Sequence, residues 1–150
     1  MKILLAIDDS KFSEAAVGSL IEDFKPATTE VCVFTVVESL ALTTPVYTYG
    51  AGPAFPQDYT AIVEKWRAEA GALLARAVKT LEVAGFKARA KVAEGEARTA
   101  ILEQAEQWRP DLIILGSHGR RGLDRFLLGS VSEGIARHAR CSVQIARLAA

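Results

Sequence analysis

Glycines and small hydroxyl residues recur at a fixed spacing in the segment GSHGRRGLDRFLLGSVSEG, which runs from Gly116 to Gly134. The spacing is Gly116-x2-Gly119-x9-Gly129-Ser130. Glycine lets the backbone turn with positive φ or approach a ligand closely. Ser130 begins a predicted helix, whose first amides lack partners and carry the positive end of the helix dipole. Such a segment is chemically suited to binding a phosphate.

Two common phosphate-binding patterns do not fit this segment. A Walker A loop requires a lysine after its final glycine, and Ser130 occupies that position. The dinucleotide pattern GxGxxG is also absent from the segment. Both chemistries therefore lose support.

The start of the last predicted helix also admits an interpretation without a ligand. Ser130 followed by Glu133 is a Ser-x-x-Glu capping box, in which the two side chains satisfy amides of the first turn. The glycine spacing upstream favours phosphate binding over this alternative. Ser130 is still able to cap its helix when no ligand is bound.

Other charged residues of the segment leave several roles open. His118 has no second His or Cys at metal-ligand spacing, so we expect a structural or solvent-facing histidine rather than a base or ligand. Arg120, Arg121 and Arg125 fit pairing with phosphates and solubilising a long loop equally well.

Asp8 and Asp9 end the first predicted strand, and they could form a metal or acid-base pair. Adjacent residues of an extended chain point to different sides, so we expect one positioned acid and one solvated acid instead. A breaker-rich segment, Glu38–Tyr59, is predicted to be a long irregular loop. Its aromatic residues suit a lid or partner surface, or ordinary loop packing, which is slightly favoured: Tyr47, Tyr49, Phe55 and Tyr59.

The elements that must position these residues follow from hydrophobic periodicity. The predicted strands are Lys2–Asp8, Val31–Val37, Ala88–Glu94, Leu112–Leu115 and Val143–Arg147, with Ala88–Glu94 near a sheet edge. The predicted helices are Ser13–Phe24, Thr60–Ala84, Glu96–Trp108 and Ser130–Ala139. Strands that alternate with helices predict an α/β doubly wound fold with a mainly parallel sheet of five strands. A chain of 150 residues has the size of one domain.

Bulk properties exclude several classes of function. Lys plus Arg equals Asp plus Glu, 18 against 18, so we expect no general attraction to nucleic acid or to anionic membranes. No apolar run approaches a membrane span, and the N-terminal run is too short for a secretory signal. Cys32 and Cys141 are far apart and lack the spacing of a metal site, which favours reduced thiols in a cytoplasm.

The residues together resemble a known family. The first strand ends AIDDS, the second ends FTVVE, and GSHG is followed by nine residues and then GS. This combination is similar to the nucleotide-binding branch of the universal stress protein family over essentially the whole chain. The resemblance implies a Rossmann-like parallel sheet of order 3-2-1-4-5. Its strand order reverses between strands one and four, where open α/β sheets bind ligands.

The resemblance also implies a ligand and the residues that hold it. Members with this glycine pattern bind ATP or a related adenine nucleotide such as ADP or AMP, commonly with Mg²⁺ or Mn²⁺. By that likeness Asp8 holds the adenosine end and the backbone of Val36 meets the adenine edge. The phosphates are expected at Gly116, Gly119, Gly129, Ser130, Val131 and Ser132. Asp9 replaces the small residue often found after the first aspartate, which adds a negative charge near the nucleotide.

The residues and the resemblance are compatible with three functions. The resemblance implies a cytoplasmic regulatory module of the stress response that forms a homodimer through Ser142–Leu148. A slow ATP-hydrolysing enzyme is the second, with Asp8, His118 or Arg120 as the local candidates for catalysis. A dimeric interaction protein without a ligand is the third.

Overall fold

Five short strands form the main sheet of the protein. The computed structural model describes residues 1–38, 46–48, 52–54, 59–119 and 128–148. The strands in chain order are β1 (Lys2–Ala6), β2 (Glu30–Val37), β3 (Val46–Thr48), β4 (Gly52–Ala54), β5 (Lys87–Glu94), β6 (Leu112–Gly116) and β7 (Ser142–Ala146). All except β3 and β4 belong to the main sheet.

The order of the main sheet is β5-β2-β1-β6-β7, and every pairing in it is parallel. Counted along the chain without the β3–β4 pair, this is the order 3-2-1-4-5, so the predicted topology is confirmed. Chain order reverses between β1 and β6, which are direct neighbours. The carboxyl ends of these two strands therefore flank the switch point of the sheet.

The described residues include four α-helices, which cover the two faces of the sheet. They are α1 (Lys11–Asp23), α2 (Tyr59–Val83), α3 (Ala97–Trp108) and α4 (Ser130–His138), and a short 3-10 turn covers Pro26–Thr28. The predicted helices are confirmed with shifts of one or two residues at most ends. No helix within the described ranges is both long enough and apolar enough to cross a membrane.

The central strand β1 is buried on both faces, which explains its unbroken apolar run. Ile3 and Leu5 pack in the cluster that α1 and α2 cover. Leu4 and Ala6 pack in the opposite cluster, which α3 and α4 cover. By contrast, β5 lies at a sheet edge and exposes most of its residues, as its alternating sequence predicted.

Between β2 and α2 the chain forms the short strands β3 and β4. The prediction of a wholly irregular segment from residue 38 to 59 is wrong where β3 and β4 form an antiparallel pair, with Tyr47 opposite Pro53. Antiparallel pairing of these two segments gives them strand structure despite the glycine and proline of β4. The choice between a lid or partner surface and ordinary loop packing for the four aromatic residues lies outside the described residues, because none of their side chains is described.

The first turn of α1 packs directly on the end of β6. A Cβ atom built on Gly116 would lie 2.7 Å from the backbone carbon of Phe12 and 2.8 Å from its carbonyl oxygen. Real Cβ atoms do not approach backbone this closely, so only glycine allows the contact. Gly116 therefore has a packing role that does not depend on any ligand.

We expect Gly116→Ala to lower the free energy of unfolding by about 1–3 kcal/mol, because α1 and β6 must separate to admit the methyl group. Denaturant unfolding followed by circular dichroism measures this loss. The matched control is Gly71→Ala in α2, where an added Cβ meets no atom within 4 Å. The control should be neutral or stabilising, since alanine favours a helix over glycine by up to about 1 kcal/mol. Equal effects of the two substitutions would contradict the packing role.

Candidate functional site

A hydrogen-bonded turn after β1 fixes the first predicted site residue, Asp8. Its Oδ1 accepts from the Ser10 amide at 3.1 Å, the Ser10 hydroxyl at 2.5 Å and the Ser13 hydroxyl at 2.7 Å. Ser13 is buried, and its hydroxyl oxygen also accepts from the Asp8 amide at 2.8 Å. Ser10 is the N-cap of α1. The chain from β1 into α1 therefore holds the Asp8 carboxylate in one orientation.

Asp8 and Asp9 differ in burial, although both follow the end of β1 at Ala6 and therefore lie outside the extended strand. Asp8 is half-buried within the serine turn, whereas Asp9 is exposed. The arrangement fits one positioned carboxylate and one that faces solvent. Within the described residues, no group of three or more His, Cys, Asp or Glu side chains could hold a metal ion.

The chain after β6 returns to the same place. A Cβ built on Gly119 would lie 2.9 Å from Oδ2 of Asp8, so the backbone at Gly119 passes directly beside the carboxylate. The His118 ring packs 5.0 Å from the Phe12 ring, and its Nδ1 lies 3.1 Å from the Ser117 hydroxyl. These contacts are those of a structural histidine, as predicted. Asp8 and Gly119 are thus brought together across the switch point.

A second set of contacts joins the end of β6 to the start of α4. The Gly129 amide donates to the Ser117 carbonyl at 2.9 Å. The buried Ser132 hydroxyl donates to the carbonyls of Ser117 and Gly129, at 2.9 Å each. A Cβ on Gly129 would lie 3.3 Å from both the Ser117 carbonyl oxygen and the His118 Cα. Gly129 and Ser132 therefore hold the start of α4 against the chain that follows β6.

The capping box proposed from the sequence is wrong, because the helix begins one residue earlier than that motif requires. Gly129 is the N-cap of α4, which makes Ser130 the first helical residue instead of the cap. Glu133 pairs with Arg137 at 2.7 Å, one turn further along. The helix start is unlike those of α1 and α3, which Ser10 and Glu96 cap with their side chains.

The first amides of α4 are consequently available to an acceptor from outside the helix. In an α-helix the first amides have no intrahelical partner, and no side chain of the described chain caps this one. Ser130 is exposed and Val131 is half-buried. The positive end of the helix dipole adds to the attraction for an anion.

A cavity of about 240 Å³ opens beside these amides. Its lining residues are Glu96, Arg98, Ser130 and Val131, so it lies between the starts of α3 and α4. The Arg98 stem crosses α4 at Gly134, where an added Cβ would overlap Cδ of Arg98. No ion pair of Arg98 occurs among the residues that the structure describes.

Glu96 also lines this cavity, but its carboxylate is directed to its own helix. It accepts from the Arg98 amide at 3.1 Å, the Thr99 amide at 2.8 Å and the Thr99 hydroxyl at 2.6 Å. The hydrogen bond from the Thr99 hydroxyl lowers the pKa of Glu96 below its usual value. Glu96 is therefore ionised at neutral pH and acts as the N-cap of α3.

Arg98 is the site residue that sequence reasoning missed. It lies in the first turn of a helix distant in sequence from the glycine segment, and only the fold brings the two together. One signal was present, since a cation in the first turn opposes the helix dipole and so suggests another role. Arg120, Arg121 and Arg125, the arginines singled out from the sequence, lie outside the described residues.

Val36, the residue expected to meet an adenine edge, lies near the carboxyl end of β2. It pairs in register with Ala93 of β5 and packs partly against the cluster under α3 and α4. The neighbouring Thr35 hydroxyl donates to the Ile7 carbonyl at 2.7 Å, which ties the ends of β1 and β2 together. Val36 thus lies near the carboxyl ends of the strands, as do Asp8 after β1 and Gly119 after β6.

Relatives of known sequence match nearly the whole chain. Universal stress protein MJ0531 of Methanocaldococcus jannaschii is 32% identical over 146 residues, which is 97% of this chain and 81% of that protein. Universal stress protein Sll1388 of Synechocystis is 30% identical over 147 residues, 96% of each chain.

Solved structures share the fold. Protein MJ0577 superposes with a TM-score of 0.84 at 26% identity, covering 99% of this chain and 96% of that one. A universal stress protein family protein from Arabidopsis thaliana with AMP bound gives a TM-score of 0.70 at 21% identity, covering 100% and 93%. A universal stress protein in complex with cAMP gives 0.68 at 21% identity, covering 99% and 98%. At these last two identities the likeness shows a common fold.

The sequence profile of the universal stress protein family matches residues 1–147. This match agrees with the strand order and with the relatives of known sequence. The chain belongs to the universal stress protein family.

Proposed function

We propose that this protein binds an adenine nucleotide, ATP or its products ADP or AMP, in the crevice between the ends of β1 and β6. In this proposal the whole chain is one universal stress protein domain. It acts in the cytoplasm as a regulatory module of the stress response, and the bound nucleotide sets its state. The observation that carries the proposal is the start of α4, which is held beside the end of β6 and has no side-chain cap among the described residues.

The phosphate end of the proposed site rests on the chain around that helix start. Gly119 follows His118 in the chain, and Gly129 packs against the His118 backbone from the start of α4. The first amides of α4 come directly after Gly129. Oriented amides at a helix start and a nearby arginine are the usual partners of a phosphate group. Related structures with AMP and with cAMP bound support an adenine nucleotide as the ligand.

The adenosine end rests on Asp8. Three hydrogen bonds to Oδ1 orient the carboxylate, and Oδ2 faces the backbone at Gly119. A fixed carboxylate is a suitable acceptor for ribose or adenine donors. We propose that the backbone of Val36 meets the adenine edge, because it lies at the same edge of the sheet.

A divalent cation fits this site only together with the phosphates. Among the described residues no group of three or more His, Cys, Asp or Glu side chains could hold a metal ion, so these residues alone do not complete a ligand set. Mg²⁺ takes most of its ligands from phosphates and water in many nucleotide sites. We therefore propose that Mg²⁺ or Mn²⁺ enters with the nucleotide.

Asp8→Asn should weaken binding of ATP and of AMP by about tenfold, since the variant removes a charged acceptor but keeps an oxygen for the two serines. Isothermal titration calorimetry on protein freed of co-purified nucleotide measures the affinities. The matched control is Asp9→Asn, which removes the same charge from the exposed neighbour and should leave AMP binding unchanged. Wild-type protein that binds no adenine nucleotide would sink the proposed function.

Arg98→Gln should weaken binding of ATP by about tenfold and leave that of adenosine unchanged, because Arg98 lines the cavity beside the start of α4 and is expected to pair with the phosphates. Calorimetric titrations of the variant with ATP and with adenosine separate the two effects. Arg76→Gln, an exposed arginine of α2, serves as the control. An equal loss for both ligands would show that Arg98 supports the fold and does not contact the phosphates.

We propose that the protein forms a homodimer through its last strand. Among the described strands, β7 pairs only with β6 and so leaves one edge open. Leu148, just beyond this strand, is 39% exposed. Pairing of two β7 edges across a two-fold axis would cover that edge and the leucine.

Leu148→Lys should raise the dimer dissociation constant by about tenfold or more, because burying a leucine contributes about 1.5–3 kcal/mol. Sedimentation velocity over a concentration series measures the shift toward monomer. Val83→Lys, at the end of α2, is the matched control, because Val83 is 77% exposed and distant from β7. A dimer that Leu148→Lys leaves intact would exclude this interface.

A further inference from the structure

A second cavity, of about 330 Å³, lies between the β2–β5 side of the sheet and the last turns of α3. Its lining residues are Cys32, Arg89, Ala90, Lys91, Gln104, Gln107 and Trp108. It shares no lining residue with the cavity at Arg98 and Ser130. Helix geometry separates Arg98 from Trp108 by roughly 15 Å along α3. The second cavity is therefore separate from the proposed nucleotide site.

The lining of this cavity is cationic. It contains Arg89 and Lys91 but no Asp or Glu. These two side chains lie two residues apart on β5, so they project from the same face of the strand. Neither forms an ion pair within the described part of the chain. Glu30 lies close enough for its negative charge to help raise the pKa of the Cys32 thiol, which lines the cavity.

Both cations are held over the cavity by neutral groups. The Arg89 guanidinium lies 4.7 Å from the centre of the Trp108 ring. Lys91 donates from its Nζ to Oε1 of Gln104. Gln104 itself is only 6% exposed, an unusual state for a glutamine, and it presents its amide oxygen to the cavity. Arg89 and Lys91 are both exposed on the edge strand β5, and these two contacts direct their side chains toward α3.

The floor of the cavity is the Cys32 thiol. Cys32 is 1% exposed, and burial raises the pKa of its thiol even though Arg89 hydrogen-bonds it. A buried neutral thiol neither competes with an anion by charge nor acts as a nucleophile at neutral pH. The polar contacts available to a ligand thus come from Arg89, Lys91 and the two glutamine amides.

We propose that this cavity is a second binding site, for a small dianion that carries a phosphate group. Two monocations on one rim match the charge of a phosphate, and the guanidinium fork with an ammonium beside it matches its oxygens. The volume is near the lower end of the usual range for ligand sites, about 300–1,000 Å³, which suits a small molecule. The occupant is inorganic phosphate or a small phosphate monoester.

Trp108 is the reporter for a test of this site. The chain has two tryptophans, so Trp66→Phe leaves Trp108 as the only one. In that background, titration with inorganic phosphate should change Trp108 emission with saturation, as the anion draws the Arg89 guanidinium from the ring. Side-chain amide signals of Gln104 and Gln107 should shift along the same curve in ¹H–¹⁵N spectra.

Arg89→Gln and Lys91→Gln should each weaken this response by about tenfold or more, since each removes a charge-assisted hydrogen bond. Lys79→Gln, an exposed lysine of α2, should leave it unchanged. Thermal unfolding of each variant shows whether the fold is kept. A response that does not saturate, or one that Arg89→Gln and Lys91→Gln leave unchanged in folded protein, would overturn the proposal.

Glycerol 3-phosphate distinguishes the two sources of the phosphate group. A monoester that binds more tightly than inorganic phosphate indicates that the organic part contacts Gln107 or Trp108. Equal affinities indicate a site for the phosphate group alone. The nucleotide proposal is tested by other residues, so either proposal can fail without the other.

Discussion

Phe12, in the first turn of α1, lies against Gly116 at the end of β6 so closely that no side chain fits between them. This contact places the start of α1 over the switch point of the sheet. It also sets the Phe12 ring beside His118. The chain that leaves β6 is thereby directed past Asp8 at Gly119, and the arrangement of the candidate site depends on this one approach.

The three helix starts whose caps are described differ in whether a side chain caps the first amides. Ser10 and Glu96 supply oxygen acceptors to the first amides of α1 and α3. At α4 the corresponding position is Gly129, and the nearby hydroxyl of Ser132 donates to carbonyls instead of accepting from amides. Ser132 therefore stabilises the position of the helix start without occupying its amides. A glycine cap costs only a few tenths of a kcal/mol relative to the better caps, so an open start is compatible with a stable helix.

The sequence predicted the fold well because each element carries its own local signal. After Lys2, the four residues of the run KILLA on β1 are all apolar, so both faces of the strand carry apolar side chains. Such a run predicts a buried strand without tertiary information. The prediction of an irregular segment was wrong at β3 and β4. Pairing of two three-residue strands depends on contacts between the strands, which the periodicity of either strand does not reveal. Arg98 was missed for a related reason, since its place beside Ser130 exists only after α3 and α4 pack together. The predicted capping box placed the N-cap of α4 at Ser130, one residue beyond the observed N-cap, Gly129. Contacts of Gly129 and Ser132 with Ser117 set where the helix begins.

The whole chain is neutral, so the charges close to each cavity matter more for an anion than the net charge does. The 18 basic and 18 acidic residues cancel over the whole molecule, so no field steers an anion from a distance. At physiological ionic strength salt screens exposed charges beyond about 8 Å. A ligand therefore interacts mainly with the charged and polar groups within that distance. Glu96 stands within the first cavity, but its ionised carboxylate is held by the amides of α3. The bulk balance thus argues against nucleic acid and membrane surfaces, while recognition of a small anion depends on which nearby acids are already hydrogen-bonded within the fold.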